Sequence, residues 1–139
     1  MTLFDLPVSA ILIACIASAA ILVYAPFLVV AYGRLQVGLD LSAPRAMFDK
    51  LPDYAKRATW AHQNSFETFT LFAVAALSAY VTGQNSTVAG YCAIAFVIAR
   101  IFYSIFYIAN IPLGRSLMFA IGSGGTFTLF ALSFLSQIA

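Results

Sequence analysis

Apolar residues run almost unbroken through four stretches of this chain, about 6–33, 58–81, 88–109 and 116–138. A helix needs roughly 20 residues to cross a hydrocarbon core of about 30 Å, and each stretch reaches that length. Inside lipid the backbone has no water to bond, so a spanning segment must be a helix or a strand of a closed barrel. Barrel strands alternate apolar and polar residues over short segments, and these stretches do not. The expected fold is therefore all-α: an integral membrane four-helix bundle, up-down-up-down, forming a single transmembrane domain over residues 1–139.

Composition excludes the alternatives. Hydrophobic residues make up 63% of the chain and charged residues 9%, against roughly 45–50% and 25% in soluble domains. A chain of this size leaves much of its surface in contact with solvent, so that solvent must be lipid. Soluble enzyme, nucleic-acid binder and disordered chain all fall away. A net charge of +2 is too small to recruit a polyanion. Cys15 and Cys92 stand singly in apolar runs, without a CxxC pair or Cys/His ligand spacing, so no metal and no paired-thiol chemistry is expected.

The first stretch is not a cleaved signal peptide: Asp5 is its only flanking charge, and its apolar run is too long. Pro26 lies inside it and is expected to kink it. Ala10, Ala14 and Ala17, beside Ser18, form a small-residue face suited to close helix approach. The loop from Arg34 to Arg57 is long and charged. Thr82 to Thr87 reads as a tight polar turn around Gly83, Asn85 and Ser86, and Asn110 to Arg115 as a short loop with Pro112. Six of the seven basic residues fall in the first and third loops. The positive-inside rule then puts both loops in the cytoplasm and both termini outside. The short termini and the lack of a retention signal favour a bacterial inner membrane.

Two ionisable residues lie inside the spans. Glu67 and Arg100 each cost about 2.5–3.5 kcal/mol alone at a helix centre on insertion scales, so each needs a partner. Both sit at similar depth from the same side, which predicts an ion pair, directly or through Asn64. Arg57, Trp60, Asn64 and Glu67 share an arc of about 80° at 100° per residue, and Arg100, Tyr103, Tyr107 and Asn110 share a second. With Arg34 closing the first helix and Arg115 opening the fourth, one cytoplasm-facing polar pocket is expected. His62 lies on the opposite side of its helix from Asn64 and reads as a packing hydrogen-bonder. The other tyrosines, Tyr24, Tyr32, Tyr54, Tyr80 and Tyr91, read as an interfacial aromatic belt.

The segment Lys56-Arg-Ala-Thr-Trp-Ala-His-Gln-Asn-Ser-Phe-Glu67 resembles the second-helix signature of the MAPEG family, membrane-associated proteins in eicosanoid and glutathione metabolism. Its pattern is a basic residue followed by Ala-His-x-Asn-x-x-Glu. Arg100, Tyr103 and Tyr107 resemble the family's R-x-x-Y-x-x-x-Y motif, and Arg115-Ser116 the opening of the fourth helix in some members. The resemblance implies a homotrimer binding glutathione as cosubstrate between protomers. It further implies that Arg34, Arg57, Asn64, Glu67, Arg100, Tyr103 and Tyr107 hold the tripeptide. The implied activity is a glutathione transferase or peroxidase acting on a lipophilic electrophile or lipid hydroperoxide that arrives from the bilayer.

Arg115 is the expected donor that stabilises the thiolate, with Ser116 and Tyr103 next, because a thiol of pKa near 8.5 is mostly protonated at neutral pH. Gln63 and Trp60 stand where some members carry bases, and Tyr103 where some prostaglandin-forming members carry His. The alternatives are a non-catalytic lipid-binding or scaffold protein of the same family, and, ranked last, a small multidrug-type transporter.

Overall fold

The computed structural model describes residues 6–138; the flank holding Asp5, and Ala139, lie outside them. Four helices follow one another: α1 (Val8–Gln36), α2 (Asp53–Val81), α3 (Thr87–Ile108) and α4 (Pro112–Ile138), with a single 3-10 turn at Phe48–Lys50 in the first loop. The chain is a four-helix bundle. Helices α2 and α3 lie on its short diagonal, and α1 and α4 each pack on both of them from opposite sides.

Local chemistry sets the helix ends. Pro52 stops the extended loop, and Asp53 follows in the first turn of α2, where an acid complements the helix dipole. The second helix therefore starts five residues before the expected Ala58 and carries Lys56 and Arg57 within it. Helix α3 opens on Ser86, whose hydroxyl accepts the Ala89 N–H at 3.3 Å, an N-cap.

Helices α2 and α3 close with the same paired bonds. Gln84 N–H reaches Ala79 O at 2.9 Å and Gly83 N–H reaches Tyr80 O at 3.1 Å; Ile111 N–H reaches Phe106 O at 2.8 Å and Asn110 N–H reaches Tyr107 O at 3.2 Å. Each closure needs one left-handed residue, and Gly83 (φ 68°) and Asn110 (φ 60°) supply it. Pro112, which lacks an N–H and has a preset φ, then begins α4 at once, four residues earlier than expected.

The buried face of α2 is built of small residues, Ala55, Ala58, Ala61, Ser65, Ala75, Ala76 and Ala79, interrupted by Phe72. Small side chains let helix backbones approach, which is how helices associate where lipid is as apolar as leucine. At Gly33 of α1 a Cβ would sit 2.5 Å from that of Ala55, and at Gly125 of α4 a Cβ would sit 2.9 Å from the Cys92 carbonyl oxygen of α3. Midway, the rings of Phe72 and Phe96 stack with centroids 3.9 Å apart. Hydroxyls along the helices bond back to carbonyls four residues earlier, as Thr59 does to Ala55 and Thr126 to Gly122, which satisfies them without water.

The expected small-residue face of α1 is not an internal one. Ala14, Ala17 and Ser18 are exposed, and α1 instead buries Ile11, Leu12, Cys15, Ala19, Val23, Pro26 and Val30. Three helices, α1, α3 and α4, are long and apolar enough to cross a membrane. Helix α2 misses that composition because its first half carries Asp53, Lys56, Arg57, His62, Gln63, Asn64 and Glu67. It crosses as the polar-lined member of the bundle, with an apolar second half exposed at Leu71, Val74 and Leu77.

Candidate functional site

Two hydrogen bonds set α2 against α3. Arg57 Nε donates to the Ile108 carbonyl at 2.9 Å, and Arg100 Nη2 donates to Ser65 Oγ at 3.0 Å. The spacing is eight residues on both helices of this antiparallel pair, from 57 to 65 and from 108 to 100, so each contact reinforces the register of the other. Ser65 Oγ in turn donates to the Ala61 carbonyl at 2.8 Å.

This register rules out the expected Glu67–Arg100 ion pair. At 100° per residue Glu67 lies about 200° round α2 from Ser65, and its side chain is exposed. Arg100 is 5% exposed and is held by the Ser65 hydroxyl on one side. On the other, the Tyr103 ring centroid lies 3.9 Å from its guanidinium carbon. Charge pairing is replaced by a hydroxyl and a cation–π stack. Asn64 does not bridge the two either.

The expected single pocket is split: its residues line three separate cavities around α2, and Arg100 with Ser65 borders a fourth, of about 10 Å³, toward α1. The first, about 330 Å³, is lined by Asn64 of α2, Tyr103 and Tyr107 of α3, and Arg115, Ser116 and Phe119 of α4. All three expected catalytic residues thus line one cavity. Tyr103 and Tyr107 meet edge to face at 5.6 Å, and the Arg115 guanidinium carbon lies 4.6 Å from the Tyr107 ring centroid. Among the described residues, Asn64 Oδ1 is buried without a hydrogen-bond partner. Arg100 stands behind Tyr103 and does not line this cavity.

The second cavity, about 860 Å³, lies between α1, the first loop and α2; Arg34, Arg45, Trp60, His62, Gln63 and Glu67 are among its walls. Arg34 lies 5.8 Å from the Phe27 ring centroid, and its buried Nε has no partner. His62 Nδ1 lies 2.7 Å from the Val23 carbonyl, which only accepts, so Nδ1 carries the proton. His62 is a packing hydrogen-bonder between α1 and α2, as expected. The third cavity, about 110 Å³, is lined by Arg57, Trp60, Tyr107, Asn110 and Arg115, among others, at the turn between α3 and α4.

The expected binding residues therefore divide. Asn64, Tyr103 and Tyr107 come together with the catalytic three. Arg34 and Glu67 share the large cavity on another face of α2, Arg57 lines the small one, and Arg100 is internal. The residue missed in the sequence is Ser65, partner of the buried guanidinium. Its signal was there: it is the one hydroxyl on an otherwise alanine face, Ala55, Ala58 and Ala61.

The fold is a membrane four-helix bundle in which, among the described residues, Arg34 Nε and Asn64 Oδ1 are buried beside cavities without hydrogen-bond partners. The MAPEG family model matches residues 11–135, and the chain belongs to the MAPEG family. It is thus a membrane protein related to glutathione and eicosanoid metabolism. No curated protein and no solved structure matches it.

Proposed function

We propose that this protein is a glutathione-dependent membrane transferase or peroxidase acting on lipophilic electrophiles or lipid hydroperoxides. The observation that carries the reading is the orphaned Asn64 Oδ1 in the cavity that also holds Arg115, Tyr103, Tyr107 and Ser116. A buried acceptor without a donor costs about 1–3 kcal/mol, which a ligand N–H entering the cavity would recover. The donor set suits a tripeptide with an amine, two amides and two carboxylates: amide oxygen for N–H, guanidinium for carboxylate. A lipid-binding scaffold has no use for such an atom.

Glutathione supplies a thiolate that attacks an electrophilic carbon or reduces a peroxide oxygen. Arg115 and Ser116 donate toward the sulfur and raise its thiolate fraction. Tyr103 is braced from behind by Arg100, which keeps its ring and hydroxyl in place at the cavity wall. Tyr107 stacks on Arg115 and holds its guanidinium at the cavity wall. Arg34 and Glu67 open on a different face, so on this reading they reach the tripeptide from a neighbouring copy in a homotrimer. The exposed Ala14, Ala17 and Ser18 offer a packing surface for that copy. On this reading the first and third loops, which carry six of the seven bases, face the cytoplasm, and the termini face the other side.

Calorimetric titration of the purified protein with glutathione, followed by conjugation assays with a hydrophobic electrophile, tests this. Wild type is expected to bind and turn over. Arg115→Ala is expected to weaken binding and to move the pH–rate profile up toward the free thiol near pH 8.5. Binding without turnover in wild type with electrophiles and hydroperoxides alike would refute the activity, and absence of binding would refute the cosubstrate.

A further inference from the structure

The 110 Å³ cavity at the α3–α4 turn is not explained by glutathione. It is well below the roughly 300–1,000 Å³ of a pocket that takes a drug-sized ligand, so it holds a small group and not a tripeptide. Two guanidinium side chains, Arg57 and Arg115, converge on it, and no carboxylate lines it. The nearest acid along α2, Asp53, lies one turn earlier, in the first turn of the helix. Like charges brought together in a partly desolvated cleft repel unless an anion lies between them.

The cleft is also built to present its charge. Arg57 spends its Nε on the Ile108 carbonyl, which pins the arm and leaves the terminal nitrogens free. Arg115 is stacked on Tyr107, which holds that guanidinium without consuming its donors. Asn110, with a left-handed backbone, also lines the cleft. Helix α3 ends and helix α4 begins beside it, so the ends of two helix dipoles of opposite sign meet there, with Arg57 on the carbonyl end. The surroundings are apolar: Trp60 is 45% exposed and Ile111 47%. Such a rim belongs at the level of lipid headgroups, where Trp and Arg are enriched.

We infer that this cleft binds one phosphate-type oxyanion, offered by the headgroup of an anionic phospholipid whose glycerol and acyl chains lie along Trp60 and Ile111. Arg57 and Arg115 clamp the phosphate oxygens, as guanidinium forks do, and the apolar rim carries the chain. Free inorganic phosphate presents the same oxygens without the chain. The site goes beyond the proposed catalytic role, with which it shares Arg115.

The full-length protein in nonionic detergent, titrated calorimetrically with short-chain phosphatidylglycerol, short-chain phosphatidylcholine, inorganic phosphate and glutathione, tests this. Phosphatidylglycerol is expected to bind once per chain, about tenfold or more tighter than phosphatidylcholine. Arg57→Gln is expected to weaken it by about tenfold or more, the value of one charge-assisted hydrogen bond. Inorganic phosphate matching the lipid in affinity and in dependence on Arg57 would assign the site to the soluble anion, with the clamp upheld. Equal binding of the two lipids, or equal binding by wild type and Arg57→Gln, would overturn the proposal. If Arg57→Gln does not fold, the contrast between the two headgroups on wild type decides. Glutathione binding in the same samples is read separately, so loss of lipid selectivity with glutathione still bound sinks this site and leaves the catalytic reading standing.

Discussion

Replacing Ser65 with Ala removes the hydroxyl to which the Arg100 guanidinium donates. That guanidinium is 5% exposed and its bond to Ser65 Oγ is 3.0 Å long, so the lost acceptor is not replaced by bulk water. Leaving a buried charged donor short of a partner costs about 1–3 kcal/mol. The reverse deletion is milder in one respect: in Arg100→Met the Ser65 hydroxyl keeps its bond to the Ala61 carbonyl and is left satisfied. Ser65→Ala in the Arg100→Met background therefore removes only a local back-bond to the helix, an exchange of less than about 0.5 kcal/mol. The double-mutant cycle is expected to give a coupling of about 1–2.5 kcal/mol, measured by reversible denaturation in mixed micelles with far-UV circular dichroism as the readout. A coupling indistinguishable from zero would refute the reasoning, because Arg100 would then be stabilised by something other than Ser65.

Two further outcomes follow from the packing and the first loop. Gly125→Ala places a Cβ 2.9 Å from the Cys92 carbonyl oxygen, a backbone atom that cannot swing away, whereas Gly124→Ala meets nothing within 4 Å. The first is expected to destabilise by about 1–3 kcal/mol, and the second to be neutral or stabilising by up to about 1 kcal/mol through helix propensity; equal melting temperatures would contradict the close approach of α3 and α4. In the loop, Asp40 Oδ1 accepts from Ser42 Oγ at 2.6 Å and Ser42 N at 2.9 Å. The side-chain bond, and then the backbone bond, hold the carboxyl below its usual range. Its folded pKa is depressed, so the turn is fully formed above the unfolded value of about 3.9 and is lost as pH falls through the folded value. Exchange of the Ser42 amide, corrected for its intrinsic rate, should stay flat from neutral pH down to about 4 and rise below it. A flat profile throughout would show that the carboxylate does not hold the turn.

The helices were legible because the bilayer demands long apolar runs, and their polar ends because Gly83, Asn110 and Pro112 have few other uses. The two early helix starts were not. Charge in Asp53 to Arg57 and the Pro112-Gly114 pair look like loop in composition, yet a proline before an acid and a proline after a left-handed asparagine are start signals. The stripes on α2 and α3 were also legible, and they placed Asn64, Tyr103 and Tyr107 with Arg115 and Ser116. The partner of Arg100 was not. Depth arithmetic put Glu67 and Arg100 on one level, and that level was nearly right, since Ser65 is only two residues from Glu67. Two residues turn a helix by about 200°, so a correct depth still left the acid on the wrong side. A serine read as an ordinary small residue turned out to be the buried acceptor.

The cations of this chain are distributed in a way that bears on how it works. Trp60, in the place where some family members carry a base, packs at a tilt on Phe48 with centroids 5.8 Å apart and borders both the 860 Å³ and the 110 Å³ cavities. An indole there adds no charge and walls the two apart. Arg34 is left in the large cavity and Arg57 in the small one, while Arg115 touches the small cavity and the 330 Å³ cavity. A ligand with two carboxylates, seated on Asn64 and Tyr103, then has one guanidinium within its own cavity. On the proposed reading the second must come from another copy, through Arg34. Restoring a base at Trp60 would place a further cation at the junction, so Trp60→Arg is expected to tighten glutathione binding and make it less dependent on Arg34. Calorimetry on Trp60→Arg, alone and with Arg34→Gln, reads this directly. If Arg34→Gln weakens binding equally in the wild-type background and in the Trp60→Arg background, the two positions do not share a carboxylate and the distribution of charge has no such consequence.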